Sequence, residues 1–181
     1  MAADSATDVL DYWYSPAMAG HWFASTPSLD AEIRRRYAGL WRQAAAGQLD
    51  AWRDTPQGAL ALVIVLDQFP LNMYRGRSEA FSSERMAVAV ARDAIQRNFH
   101  LELAPDQRLF LFMPLMHSEN LADQDLSVAL FREANMETRW PEHHRAIVRR
   151  FGRFPHRNAI LGRQSTVEEL AYLASDEAFR G

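Results

Sequence analysis

"TPQGALALVIVLDQFP", residues 55–70, is the stretch whose reading decides the fold. Its middle, Ala59 to Phe69, is apolar almost without interruption, and Val63, Ile64 and Val65 suit a buried strand as well as a buried helix. The opening dipeptide separates the two. Thr55 is a good N-cap, and Pro56 fits the first helical turn, where its missing N–H has no intrahelical partner to lose. The segment therefore reads as a helix, and one apolar around its whole circumference belongs at the centre of a core.

The neighbours read the same way. Residues 7–14 form a short first helix with Thr7 as N-cap. Ile33, Tyr37, Leu40, Trp41 and Ala44 recur at helical spacing along one face, and Gly47 follows as a C-terminal cap. Residues 79–98 read as a further helix with Phe81, Val88, Ala91 and Ile95 on its apolar side. "PDQRLFLFM" starts another at Pro105, which Pro114 should end. Residues 120–134 are amphipathic, and Pro141 begins a helix whose stripe is His144, Ile147, Val148 and Phe151. Thr166 and Glu169 make the T-x-x-E capping-box pattern. No hairpin dipeptide or sustained alternation appears. The expectation is an all-α fold of seven to nine helices in antiparallel pairs, in a single domain over residues 1–181.

Composition narrows the chemistry. Hydrophobic residues make up 48% of 181, enough for a sizeable core. There is no cysteine, which excludes disulfides, thiolate catalysis and thiolate-held metal clusters. Every one of the 20 basic residues is arginine, so a Schiff-base lysine and a P-loop lysine are excluded too. The start of the chain lacks the pattern of a secretory signal, and the longest apolar run, Ala59 to Leu66, is far below the ~20 residues of a membrane span. A cytoplasmic protein with no membrane partner is expected. A net charge of −3 without a nucleic-acid motif argues against nucleic acid as a partner. No cofactor motif is present, and none is expected.

Three polar constellations stand out. "RRFGRFPHRNAILGR" (149–163) lies in a span, His143 to Val167, with six arginines, three histidines and no Asp or Glu. Guanidinium forks of this kind either await an anion or pair with acids such as Asp67, Glu119 or Asp123 as internal clamps. "LDQFP" (66–70) puts Asp67 and Gln68 at the end of the most apolar helix, where a carboxylate needs a partner. "MPLMHSEN" (113–120) clusters His117, Ser118 and Glu119, which suit a helix cap or a proton-transfer pair. The spacings do not suit a metal site, and none is expected. "FPLNMYRGR" (69–77) also echoes "FPHRNAILGR" (154–163), through shared turn chemistry or a duplicated helix pair.

"LDQFPLNMYRG", "FMPLMHSENL" and "HRAIVRRFGRFPHRNAILGRQSTVEEL", with "VLDYWY…HWF" and "GQLDAW" before them, resemble the signature blocks of the domain of unknown function 924 family over roughly residues 8–174. The resemblance implies a right-handed, tetratricopeptide-like helical stack and no defined reaction. It implies polar signature positions at Asp67, Gln68, Asn72, Arg75, His117, Ser118, Glu119, His144, Arg150, Arg153, His156, Arg157 and Asn158. Leu71, Glu84 and Asn120 depart from the family pattern, where Arg, Asp and an acid are usual.

Three functional readings follow. In the first, Gln68, Arg75, Arg150, Arg153, Arg157 and Asn158 bind an anionic small molecule or peptide in an Arg/His-lined cleft. In the second, the polar motifs are internal clamps and the chain is a scaffold for a protein partner. In the third it is a hydrolase, with His117, Glu119, His156 and Asp67 as catalytic candidates beside Arg153 and Arg157.

Overall fold

The computed structural model describes residues 5–179 and is helical, with no strand among them. The helices are α1 (Ala6–Trp13), α2 (Pro16–Ala19), α3 (Pro27–Ala45), α4, α5 (Glu84–Gln96), α6 (Pro105–His117), α7 (Leu121–Glu133), α8 (Arg139–Phe151) and α9 (Val167–Leu173). Helix α4 runs without a break through Pro56–Val63, a wider π turn over Ile64–Gln68, and Phe69–Met73. Nine helices among the described residues match the all-α expectation. The chain divides into two compact units, Met1–Arg75 with Glu79–Pro114, and Gly76–Ser78 with Leu115–Gly181.

The first unit is built around α4, against which α1, α3 and α5 pack. Thr55 caps it as the sequence predicts, its hydroxyl accepting from Gly58 N at 3.1 Å. A Cβ on Gly58 would lie 2.2 Å from the Trp52 carbonyl oxygen, so only glycine lets the preceding 3₁₀ turn, Asp50–Asp54, lie against the helix. Leu60, Leu62, Ile64 and Leu66 are buried on all sides. Phe69 stacks on Tyr37 at 4.5 Å and meets Trp13 edge-on at 5.8 Å.

The π turn has a local cause. Pro70 has no N–H to return to Leu66 O, four residues earlier, and the ladder widens just before it, with Phe69 N donating to Ile64 O. The orphaned Leu66 carbonyl accepts instead from Ser83 Oγ at 2.6 Å, and Trp41 Nε1 donates to the same hydroxyl at 3.0 Å. Asn72 Nδ2 covers Gln68 O at 3.0 Å.

The second unit packs Ile147, Val148, Phe154 and Tyr172 into a core edged by Phe151, Leu173, Ala178 and Phe179. The end of α6 is finished by Gln124, whose amide donates to Met116 O and Ser118 O, both at 2.7 Å. Asn120 caps α7 through Ala122 N, and Gly152, at φ +71, ends α8.

Some boundaries differ from expectation. The first helix starts at Ala6 with Ser5, not Thr7, as its cap, because Ser5 and Asp8 close a capping box there. Pro114 does not end α6, which continues to His117. A proline forfeits one hydrogen bond, and the buried side chains from Phe110 to Met116 hold the helical course across it. The helix expected over 79–98 begins as a 3₁₀ turn, Ser78–Phe81, before α5. The two echoed segments share a left-handed glycine, Gly76 and Gly162, but the first runs in α4 and the second in a 3₁₀ turn. Turn chemistry accounts for that likeness.

Candidate functional site

Gly152 and Gly162 fold the arginine segment back on itself, so residues 153–166 form a loop held at both ends by ion pairs. Glu119 is one anchor. Arg163 grips it with two parallel bonds, Nη1 to Oε2 at 2.6 Å and Nη2 to Oε1 at 2.9 Å, and Phe154 N donates to Oε1 at 2.8 Å. Arg163 also donates through Nε to Asn158 Oδ1 at 3.0 Å and through Nη2 to Phe154 O at 3.2 Å. Asn158 Nδ2 in turn reaches Ser165 Oγ at 3.0 Å. Burial raises the Glu119 pKa, but the bonds from Arg163 and Phe154 N, with the charge of Arg157, outweigh it and hold it below its ordinary value.

Glu169 is the other anchor and is only 2% exposed. Arg153 forks onto it, Nε to Oε1 at 2.6 Å and Nη2 to Oε2 at 2.8 Å, and reaches Gln164 O at 2.8 Å. The same carboxylate accepts Thr166 N at 2.7 Å, while Thr166 Oγ1 accepts Glu169 N at 3.1 Å. One acid thus closes the predicted capping box of α9 and clamps Arg153. Its pKa falls to about 2, chiefly through the Arg153 bonds.

Arg157, 5% exposed, donates through Nη2 to His117 O at 2.8 Å and lies 4.7 Å over the Phe154 ring. His144 is also 5% exposed, its Nδ1 2.8 Å from Trp140 O, and burial above all pushes its pKa down to about 3. Burial, then the Arg157 charge, lowers His156 to about 4. Both imidazoles are neutral at physiological pH.

The second unit therefore gathers His117, Glu119, His156, Arg157 and Asn158 around Arg163, with Arg153 clamped next along the loop. Arg150, half exposed, pairs with Glu168 at 2.8 Å, and Arg145 and Arg149 reach Asp125 at 3.5 and 3.3 Å. Asp67, Gln68 and Arg75 belong to the first unit. Gln68 Nε2 donates to Asp67 Oδ2 at 2.5 Å and lies 3.4 Å from Met113 Sδ on the π turn. Arg75 bonds Asp30 at 2.8 and 3.3 Å and Asn72 Oδ1 at 3.3 Å. Glu119 was expected to pair with this arginine run, and Arg163 is the arginine that grips it; Glu169 was missed as a partner. The capping-box pattern made Glu169 visible as a cap, but no local pattern joins it to Arg153.

A shallow groove of about 580 Å³ lies in the first unit between Asp11, Tyr14, Asp106 and Gln107, and none of the sequence-predicted site residues lines it. Among the described residues, no group of three or more His, Asp or Glu side chains could hold a metal ion, and no helix is long and apolar enough to cross a membrane.

Comparison with known proteins agrees with the helical architecture. The solved structure of a protein of unknown function from Agrobacterium tumefaciens, ATU0120, is 36% identical, covers 93% of this chain and 96% of its own, and superposes with a TM-score of 0.88. No functionally curated protein matches. The model of a family described as bacterial protein of unknown function (DUF924) matches residues 9–177. The match spans nearly the whole chain and takes in every polar signature position, and this protein belongs to the DUF924 family.

Proposed function

We propose that the chain is a protein-interaction module whose polar signature residues brace its own loops. The supporting observation is the occupancy of the arginine forks: Arg153 is spent on Glu169, Arg163 on Glu119, and Arg157 donates to a backbone carbonyl. A fork that already holds a carboxylate binds a second anion only by giving up the first. Glu119, gripped by Arg163 and Phe154 N, is likewise a poor general base, which weighs against the hydrolase reading.

The docking face is the outer side of α9. Val167, Leu170, Ala171 and Ala174 recur at helical spacing and all face solvent, Val167 86% and Leu170 57% exposed. Glu169 and Tyr172 occupy the inner side, so the clamp presents the outer stripe rigidly. A protein partner would cover this stripe with an apolar face of its own. Affinity capture with the wild-type chain and with Leu170→Glu tests the assignment. A stoichiometric partner held by the wild type and lost with Leu170→Glu, at unchanged melting temperature, is the expected result. Equal capture by both chains counts against it. So does a rise in melting temperature with phosphates, nucleotides or dicarboxylates that Arg153→Ala abolishes, which would restore the anion-binding reading.

A further inference from the structure

Four of the chain's six histidines lie in the second unit, with His117, His143 and His156 all within electrostatic reach of His144. The ion-pair clamps use neither the His144 nor the His156 ring. Two of the rings, His144 and His156, pack in one aromatic cluster. Phe154 touches both, 5.5 Å from His144 and 5.7 Å from His156 between ring centroids. Phe179 touches both as well, 4.5 Å from His144, 5.0 Å from His156 and 6.2 Å from His143.

Phe179 comes from the segment that follows α9. Residues 174–179 carry no regular secondary structure, and one bond, Phe179 N to the Tyr172 hydroxyl at 2.9 Å, ties the far end down. Ser175 adds only local bonds to Tyr172 O. A short strap that packs Ala178 and Phe179 on the core, with an Ala178 N to Ser175 O bond of 3.3 Å inside its own turn, sits at the low-stability end of a fold. What it covers is chemically capable. His144 uses Nδ1 on Trp140 O, so its neutral ring keeps the Nε2 lone pair as an acceptor. His156 is held by ring contacts alone among the described residues.

We propose that residues 174–179 are a proton-sensitive gate: Phe179 packs over both imidazoles while His144 and His156 are neutral, and its withdrawal exposes both more fully as proton acceptors. The coupling runs through desolvation, because burial against Phe154 and Phe179 disfavours the charged ring. By linkage, protons bind the open form better and acid opens the strap. The groups facing these rings reinforce the sign. His144 meets His117, His143 and His156, and His156 meets Arg157, Arg163 and His117, against the single carboxylate of Glu119. The gate shares only Ala174 with the docking stripe and does not depend on it.

Histidine NMR titration of the full chain from pH 7.5 to 4 tests this, with wild type, Phe179→Ala and Tyr172→Phe followed together. In wild type, His144 and His156 should resist protonation well below pH 6.5, and the Ala178 and Phe179 amides should become mobile as His156 protonates. In Phe179→Ala both midpoints should rise by about one unit or more. Tyr172→Phe removes only the tethering hydroxyl, keeps the core filled, and should shift both midpoints the same way by less. Unchanged midpoints in the folded variants overturn the proposal, as does a strap that stays ordered after His156 is protonated.

Discussion

Glu169 accepts bonds from Arg153 and from the first turn of its own helix, so removing either partner has different consequences. Arg153→Ala strands a buried carboxylate and should lower the melting temperature by several degrees. Arg150→Ala breaks a solvent-exposed pair with the neighbouring Glu168 and should change it little. The same carboxylate carries an acid dependence. Its folded pKa, about 2, is below the ordinary 4.5, so its stabilisation is complete above pH 4.5 and is lost as pH falls through about 2. Arg153→Ala should flatten that limb in urea titrations run from pH 5 to 2. Gly58 is constrained differently. Gly58→Ala drives a methyl into the Trp52 carbonyl and should cost about 1–3 kcal/mol in denaturant unfolding.

At the scale of elements, α4 and the arginine loop each depend on partners distant in sequence. Pro70 creates an orphan carbonyl at Leu66, and Ser83, on the approach to α5, satisfies it. Ser83→Ala leaves both that oxygen and Trp41 Nε1 unpaired in a buried setting, for a predicted loss of about 1–3 kcal/mol. Ser83→Thr keeps the hydroxyl and should recover part of it. Glu119→Ala frees the Arg163 fork and Phe154 N together, and about 2–4 kcal/mol should be lost as the loop detaches. Fluorescence and circular dichroism in urea would read both. Helix starts were legible wherever capping was local: Thr55-Pro56 and Thr166-x-x-Glu169 are complete within four residues. The continuation of α6 through Pro114 was not, because what overrides the proline is burial against neighbours that the chain meets only after folding.

For the whole chain, the consequence reaching furthest is its response to acid. His144 and His156 are neutral in the fold, with values of about 3 and 4 against 6.5 when unfolded. Between those limits the unfolded chain binds protons the folded one refuses, so stability is full above pH 6.5 and declines toward pH 4, at up to about 1.4 kcal/mol per pH unit for each histidine. Thermal melts from pH 8 to 4 should show a plateau and then a fall, and His156→Gln should lessen the slope. The amino-acid order alone determined that this protein is helical, where most helices begin, and that lysine and cysteine chemistry is closed to it. Those features rest on spacing, caps and composition, which act over a few residues. Only the folded structure decided which acid each arginine meets. Arg153 finds Glu169 across 16 residues and Arg163 finds Glu119 across 44. Ion pairs between side chains so far apart are selected by the turns at Gly152 and Gly162, and no local pattern encodes that choice.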